Sequence, residues 1–474
     1  MLGADGHSSL AVSRMRERSA QLFQKACKVI PGGVTANIKY FPPHPIVMKR
    51  GSGSRLFDVD GNAYIDYALC YGALMLGHGH PRVLAAVEQH IAAAGTFVFG
   101  APCELETAMA EKLIAHYAGI ERVRFTNSGM EATQFAIRLA MAHTGRRKLA
   151  KFEGHYHGGY DQVLFSVHPE RERGGERRRP HAVAASKGIP DYVQRETLAL
   201  PFNDLEATAR LLQENANDVA AVILEPVEGG FIPAEPAFLR GLRTVTEQLG
   251  IVLIFDEVKT GFRVALGGAQ QVYGVTPDLT ALGKVLGGGF PIGAVGGKRE
   301  LMAQCDPREG QDILTAGRED GVQLGVRDGS ASDVLFHSGT YNGHPLILAA
   351  GLATIDLLEQ PGQLEQLFAH TNQLRKGLED VYARRDIPMQ TCGMGSIFNI
   401  VLTERPVANC RDMWHADTAL RRAIDEELLN VGVYCKPLNR YSLSLAHSSA
   451  DIQYTVDAHE RAIDRVLLRG RSSK

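Results

Sequence analysis

The sequence predicts an α/β protein in three layers, α/β/α around a mostly parallel central sheet, with a smaller α+β domain attached. Three observations carry that prediction. From about residue 80, segments with apolar residues at helical spacing alternate with short apolar runs, the signature of helices covering a largely parallel sheet. The runs "VAAVILEPV" (219–227), "GIVLIFDEV" (250–258) and "LTALGKVLGGG" (279–289) each lead into a charged residue. In such sheets ligands bind beyond the carboxyl ends of the strands, so those charges are expected to converge. Finally, 474 residues at 45% hydrophobic and 22% charged leave ample material for a core with a second domain.

Taken in order, "SRMRERSAQLFQKACKVI" reads as a helix stopped by "PGG" (31–33). In "PIVMKRGSGSRLFDVDGNAYIDY" (45–67), short alternating runs are broken by "GSGS" and "DGN", which predicts a small antiparallel meander. "HPRVLAAVEQHIAAA" and "ELETAMAEKLIAHYA" are helical, "RVRFTNSG" is a strand entering a turn, "MEATQFAIRLAMAHTG" is a helix closed by glycine, and "KLAKFEG" is a strand. The polar, turn-rich stretch 306–333 reads as an irregular insertion, and from "NGHPLILAAGLATIDLLE" onward helix and strand alternate again. The expected division is an N-terminal segment (1–75) belonging with the small domain, a large domain (76–345) and a C-terminal small domain (346–474).

Composition narrows the partners. The formal net charge is −2, and the one basic run, Arg177–Arg179 within "PERERGGERRRP", is interleaved with Glu170, Glu172 and Glu176 and lacks aromatic residues. That pattern predicts a solvated loop and no nucleic-acid partner. Seven scattered cysteines without a CxxC pair suggest reduced thiols. The first twenty residues lack a signal-peptide core, and no apolar stretch approaches the ~20 residues of a membrane span. A cytoplasmic protein without a membrane partner is the expectation.

Four features carry chemistry. Lys284 is the single charged side chain in "LTALGKVLGGGFPIGAVGG" (279–297). A buried amine has a depressed pKa and attacks carbonyls, the usual route to a Schiff base. Asp256 and Glu257 follow the apolar run "IVLI". A strand-end acid alone reads equally as a helix cap or metal ligand, but beside such a lysine a carboxylate suits a pyridinium nitrogen. "TNSGMEA" (126–132) places Ser128 and Gly129 at a helix start, where free N–H groups and the helix dipole attract an anion, although any capped helix could begin so. "FEGHYHGGY" (152–160) offers Tyr156 as a plate for a flat cofactor; reading His155 and His157 as metal ligands lacks a third ligand, and no metal is expected.

Together these features suggest pyridoxal 5′-phosphate. The chain resembles the class III aminotransferases of the fold-type-I pyridoxal phosphate superfamily, and within them glutamate-1-semialdehyde 2,1-aminomutases and their aminotransferase relatives. The resemblance lies in "LFDVDGNAYIDY", "LGHGHP", "FTNSGMEAT", "FEGHYHG", "EPV", "DEVKTGFRVALGGAQQVYGVTPDLTALGKVLGGGFPIGAVGG" and "HSGTYNGHP". It implies Lys284 as the internal aldimine and proton shuttle, Asp256 against the pyridine nitrogen, and Val258 and Tyr156 on the two ring faces. It further implies Ser128, Gly129 and Met130 at the phosphate with Thr340 from a partner subunit, Glu225 near the phenolic edge, and Tyr71 in the substrate pocket. A homodimer with shared active sites follows from the same resemblance.

Departures from the family cluster around substrate. Met130 stands where threonine is usual, Lys39 where an arginine grips a carboxylate, Ala36 where a serine positions substrate, and Gly230 for an asparagine beside the cofactor. Lys436 and Arg440 occur where the aminomutase has an acid. Lysine cannot make the planar bidentate fork of arginine, so Lys39, Tyr71 and Arg440 are the substrate-binding candidates. The expected activity is an aminotransferase passing an amino group from an amino donor to a keto or aldehyde acceptor by a ping-pong mechanism. The alternatives are an intramolecular aminomutase or a racemase or decarboxylase. The presence of both Lys284 and Asp256 argues against a silent binding protein.

Overall fold

The computed structural model describes residues 16–309 and 334–472. Most of the expected 306–333 insertion and the start of the first helix lie outside these residues. The chain enters with α1 (Glu17–Ala26) and the turn Pro31–Gly33. It then forms the antiparallel meander β1 (Met48–Ser52), β2 (Arg55–Asp58) and β3 (Ala63–Asp66). The "DGN" turn closes on Asp58, whose carboxylate accepts the N–H groups of Asp60 and Asn62 at 3.0 and 2.7 Å.

The central sheet is built from β4 (Arg122–Thr126), β5 (Lys148–Phe152), β6 (Thr197–Leu200), β7 (Val219–Leu224), β8 (Val252–Asp256), β9 (Leu279–Gly283) and β10 (Gly293–Gly297). Their spatial order is β4-β10-β9-β8-β7-β5-β6; β10 runs antiparallel to both neighbours and the other pairings are parallel. Every residue of β7, β8 and β9 is buried, so an unbroken apolar run marks strands covered on both faces. The two faces separate by the strand's period of two. Leu224, Leu253 and Phe255 join one cluster with Phe238 and Leu242, while Ile223 and Ile254 join another with Ala136 and Ala140. The helices α2 (Gly129–Thr144), α3 (Leu205–Glu214) and α4 (Pro236–Leu249) supply those covers. The result is the expected three-layer α/β/α architecture, with a mixed, mostly parallel sheet.

The C-terminal part contributes α5 (Gln363–Ala383), β11 (Gln390–Met394), β12 (Ile397–Val401), α6 (Thr418–Asn430), β13 (Val433–Tyr434), β14 (Tyr441–Ser442) and α7 (Ser449–Ser472). β11, β12 and β14 form an antiparallel sheet, whereas β13 pairs in parallel with β3 of the N-terminal meander. The basic run forms a two-residue hairpin rather than a free loop. Arg177 pairs with Asp412, Arg178 with Asp204 and Glu206, and Arg179 with Glu214, so its charge is neutralised locally. Among the described residues no helix is long and apolar enough to cross a membrane.

Candidate active site

Three neighbouring strands end side by side. Leu224 of β7 lies across from Phe255 of β8, and Asp256 across from Ala281 of β9. One step past those ends stand Glu225 and Lys284, so two acids and an amine from distant parts of the chain line one cavity of about 240 Å³.

Lys284 is the first residue after β9 and adopts φ +47°, a conformation that favours glycine. Its ammonium makes no hydrogen bond or ion pair with the described residues. Burial pushes its pKa well below the ordinary lysine value, and the nearby Lys259 and Arg440 push the same way against Asp256 and Glu225. The amine is thus prepared to be neutral and nucleophilic.

The two adjacent acids, Asp256 and Glu257, part company. Glu257 turns away and accepts from the Thr260 hydroxyl and the N–H groups of Ala269 and Gln270, which makes it the helix cap. Asp256 faces the cavity, with Oδ1 accepting the Val258 N–H at 3.0 Å and Oδ2 lying 2.8 Å from Nδ1 of His157. Burial drives the His157 pKa down to about 3, so its ring is neutral and the protonated Nδ1 donates to the acid. Burial raises the Asp256 pKa, with Lys259 and Lys284 opposing it. His157 is a candidate site residue that the sequence did not point to, since it was weighed there only as a metal ligand and set aside. His155 is also engaged, its Nδ1 accepting the Glu225 N–H at 2.9 Å.

The turn after β4 delivers the start of α2. Ser128 Oγ accepts the Glu131 N–H at 3.2 Å while Glu131 Oε2 accepts the Asn127 N–H at 2.8 Å, a reciprocal cap that leaves the first amides of the helix free for an anion. At Gly129 a Cβ would stand 2.7 Å from the Val258 side chain, so glycine is required for the helix start to reach the cavity wall. Gly129, Met130 and Val258 all line the cavity. Tyr156 does too; its ring is 46% exposed and its N–H donates to Glu225 Oε2 at 3.0 Å.

Other predicted residues lie elsewhere. Thr340 is exposed and outside the cavity lining. Lys39 is exposed, and its ammonium donates to Thr35 Oγ1 at 2.8 Å. What its turn offers the rim is the Ile38 carbonyl, which accepts from the Tyr71 hydroxyl at 3.0 Å and from Lys436 Nζ at 2.6 Å. Tyr71 belongs to a left-handed turn in which Leu69, Cys70 and Tyr71 have φ of 45, 52 and 57°. Arg440 touches that turn through the Tyr71 carbonyl at 3.3 Å and retains a buried Nε without a partner.

An unpartnered amine, a buried carboxylate held by a neutral histidine, free amides at a helix start and a ring-sized cavity fit pyridoxal phosphate. Fold and site define a fold-type-I pyridoxal phosphate enzyme. Residues 37–463 match the family described as Aminotransferase class-III, and the chain belongs to it. It is 42% identical over 459 residues to the glutamate-1-semialdehyde 2,1-aminomutase 2 of Brevibacillus brevis, covering 95% of this chain and 99% of that one. Among solved structures it is similar to an omega-transaminase from Sphaerobacter thermophilus, with 38% identity, a TM-score of 0.86 and coverage of 94% of this chain and 97% of that one. It is also similar to a structure described as a transaminase with PLP bound, with 32% identity, a TM-score of 0.84 and coverage of 96% and 99%. The chain is therefore an enzyme of class III transamination-type chemistry that uses pyridoxal phosphate held by a lysine.

Proposed function

We propose that the enzyme moves an amino group between carbons of one carboxylate-bearing amino carbonyl substrate, in the manner of the aminomutases it is similar to, with Lys284 as the covalent anchor. The departures around substrate favoured transfer between two molecules, but the named sequence relatives favour the intramolecular alternative. The observation that carries the shared chemistry is the meeting of Lys284, Asp256 and Glu225 at adjacent strand ends.

Bound pyridoxal phosphate supplies an electron-withdrawing pyridinium to the substrate carbon. Asp256, oriented by His157 and the Val258 N–H, holds the proton on the ring nitrogen. Val258 and Tyr156, which both line the cavity, would hold the ring between them. The amides of Gly129 and Met130 bind phosphate, and Ser128, whose oxygen already caps the helix, still has its hydroxyl proton to donate. Lys284 would hold the cofactor covalently and, when free, would move a proton at the substrate carbon. Arg440 receives the substrate carboxylate, because its buried Nε lacks a partner and arginine suits a planar anion. Tyr71 lines that end. Thr340 serves the phosphate of a second copy, so the working form is a homodimer; the exposed Met130, Tyr156, Phe290 and Tyr341 are consistent with such a cover.

Transfer between two molecules is the second reading, favoured by Arg440 where the aminomutase carries an acid and by the omega-transaminase likeness. An isotope-labelled amino substrate mixed with an unlabelled acceptor separates the two. Label retained in the original carbon skeleton supports the shift; label accumulating in the separate acceptor overturns it. Borohydride fixation of a pyridoxyl group on Lys284 tests the anchor itself.

A further inference from the structure

A second lysine enters the same cavity. Lys259 follows Val258 on the segment leaving β8, and its side chain is only 11% exposed. Its ammonium is bonded to Glu225 Oε1 and lies 5.7 Å from the centroid of the Tyr156 ring. It lines the cavity together with Lys284.

Glu225 does not need it for want of partners, since Oε2 already accepts from the N–H groups of Tyr156 and Gly229 at 3.0 and 3.3 Å. Sequestering an ammonium costs several kcal/mol before its partner offsets the cost. Placing it beside an amine that has to act as a nucleophile is a further constraint, so its location calls for a role.

We propose that Lys259 is a positioning residue of this site: clamped between Glu225 and the Tyr156 ring, it directs a fixed positive charge at Lys284 and so governs the protonation of the nitrogen that anchors the cofactor. This rests on the reading that Lys284 is that anchor. The charges facing Lys284 are Lys259 and Arg440 on one side of the balance and Asp256 and Glu225 on the other, and Lys259 is the strongest of them after burial itself. The groups facing Lys259 are Glu225, Asp256, Lys284 and the histidines His155, His157 and His168. Burial pushes all three histidines down, so they stay neutral and do not blur the effect near neutral pH. Against the burial that raises it, the same ammonium helps hold the Glu225 carboxyl below its ordinary value.

The test is a pH titration of the bound cofactor's absorbance in the holoenzyme, compared across variants. Lys259→Met removes a repelling charge, so the protonated form gains and the midpoint moves up by about one pH unit. Lys259→Arg keeps the charge and stays within about 0.3 unit of the parent. Glu225→Gln removes a negative charge and moves the midpoint down. A Lys259→Met midpoint equal to the parent's, with the cofactor fixed on Lys284 by borohydride in both proteins, overturns the proposal. Failure of fixation in the parent overturns instead the reading on which it rests. Should Lys259→Met not retain cofactor, Lys259→Gln and Glu225→Gln provide the same comparison with opposite expected signs.

Discussion

The strand ends that line the cavity, its deep end, and the turns that carry the proposed substrate residues, its rim, are built by different means. At the deep end Asp256, Glu225 and Lys284 sit at or just beyond strand termini, and the two acids are bonded to groups from other segments, Asp256 to His157, Glu225 to Lys259 and to the Tyr156 N–H. At the rim the groups ride on short turns. Lys39 is solvated on a single turn, and Tyr71 stands in a left-handed one. That turn is nevertheless rigid, because Arg263 donates to the Gly72 carbonyl from Nε and Nη2 at 3.1 and 2.6 Å and Arg440 reaches the Tyr71 carbonyl. Left-handed backbone costs about 1–2 kcal/mol per non-glycine residue, and three in a row persist only where the surroundings dictate them. On the proposed reading the reaction is fixed by the sheet, while substrate choice falls to turns outside it, one of them left-handed and clamped by arginine. Altering one end should therefore leave the other working.

The largest expected effect falls at the deep end. Lys284→Ala removes anchor and proton carrier together and should lower kcat by about 10³-fold or more, with cofactor binding weakened and no pyridoxyl group fixed by borohydride. Arg440→Ala, at the rim, should raise KM for a carboxylate-bearing substrate by about 10- to 100-fold while kcat changes less, the signature of lost charge-assisted binding. Arg440→Lys should recover only part of this, since an ammonium lacks the planar fork. Equal losses in kcat for both sites would erase the proposed separation.

A smaller effect tests how the deep end is held. His157 has a folded pKa of about 3 against an ordinary 6.5, so between those values the unfolded chain binds the extra proton. Its contribution is fully present above pH 6.5 and is lost as pH falls. The loss at pH 5 is about 2 kcal/mol, with the raised pKa of Asp256 acting in the opposite sense. Denaturant unfolding at pH 7 and pH 5 should show His157→Asn losing less stability on acidification than the parent. A parallel loss in both proteins would mean that the ring is not buried neutral.

The same contrast explains what could be seen in the sequence. The fold was legible because β7, β8 and β9 are buried and almost wholly apolar, and Asp256 and Lys284 because a lone charge at the end of such a run stands out locally. The reciprocal cap at Ser128 and Glu131 is likewise a local pattern. His157 was missed because its partner lies 99 residues away and no spacing rule links them. Lys259 sat unnoticed inside "DEVKTG", since its meaning depends on the Glu225 and Tyr156 side chains that tertiary structure brings to it. At the rim the backbone decides: a family position that usually carries arginine drew attention to Lys39, but a turn presenting the Ile38 carbonyl cannot be foreseen from residue types.

Lys39 consequently provides the smallest effect and the sharpest discrimination. Its ammonium is exposed and bonded only to the neighbouring Thr35 hydroxyl, so Lys39→Ala should alter stability by less than about 0.5 kcal/mol and KM by less than about twofold. Set beside the Arg440 variant, the result decides which cation meets the carboxylate. Arg440 keeps a buried donor without a partner, whereas Lys39 spends its charge on water, and desolvation makes a charge-assisted hydrogen bond worth more. A tenfold rise in KM for Lys39→Ala with Arg440→Ala silent would reverse the assignment and return the carboxylate to the position its relatives use. The turn at 37–39 would then have to swing its side chain inward when substrate binds, breaking the bonds from Tyr71 and Lys436 to the Ile38 carbonyl.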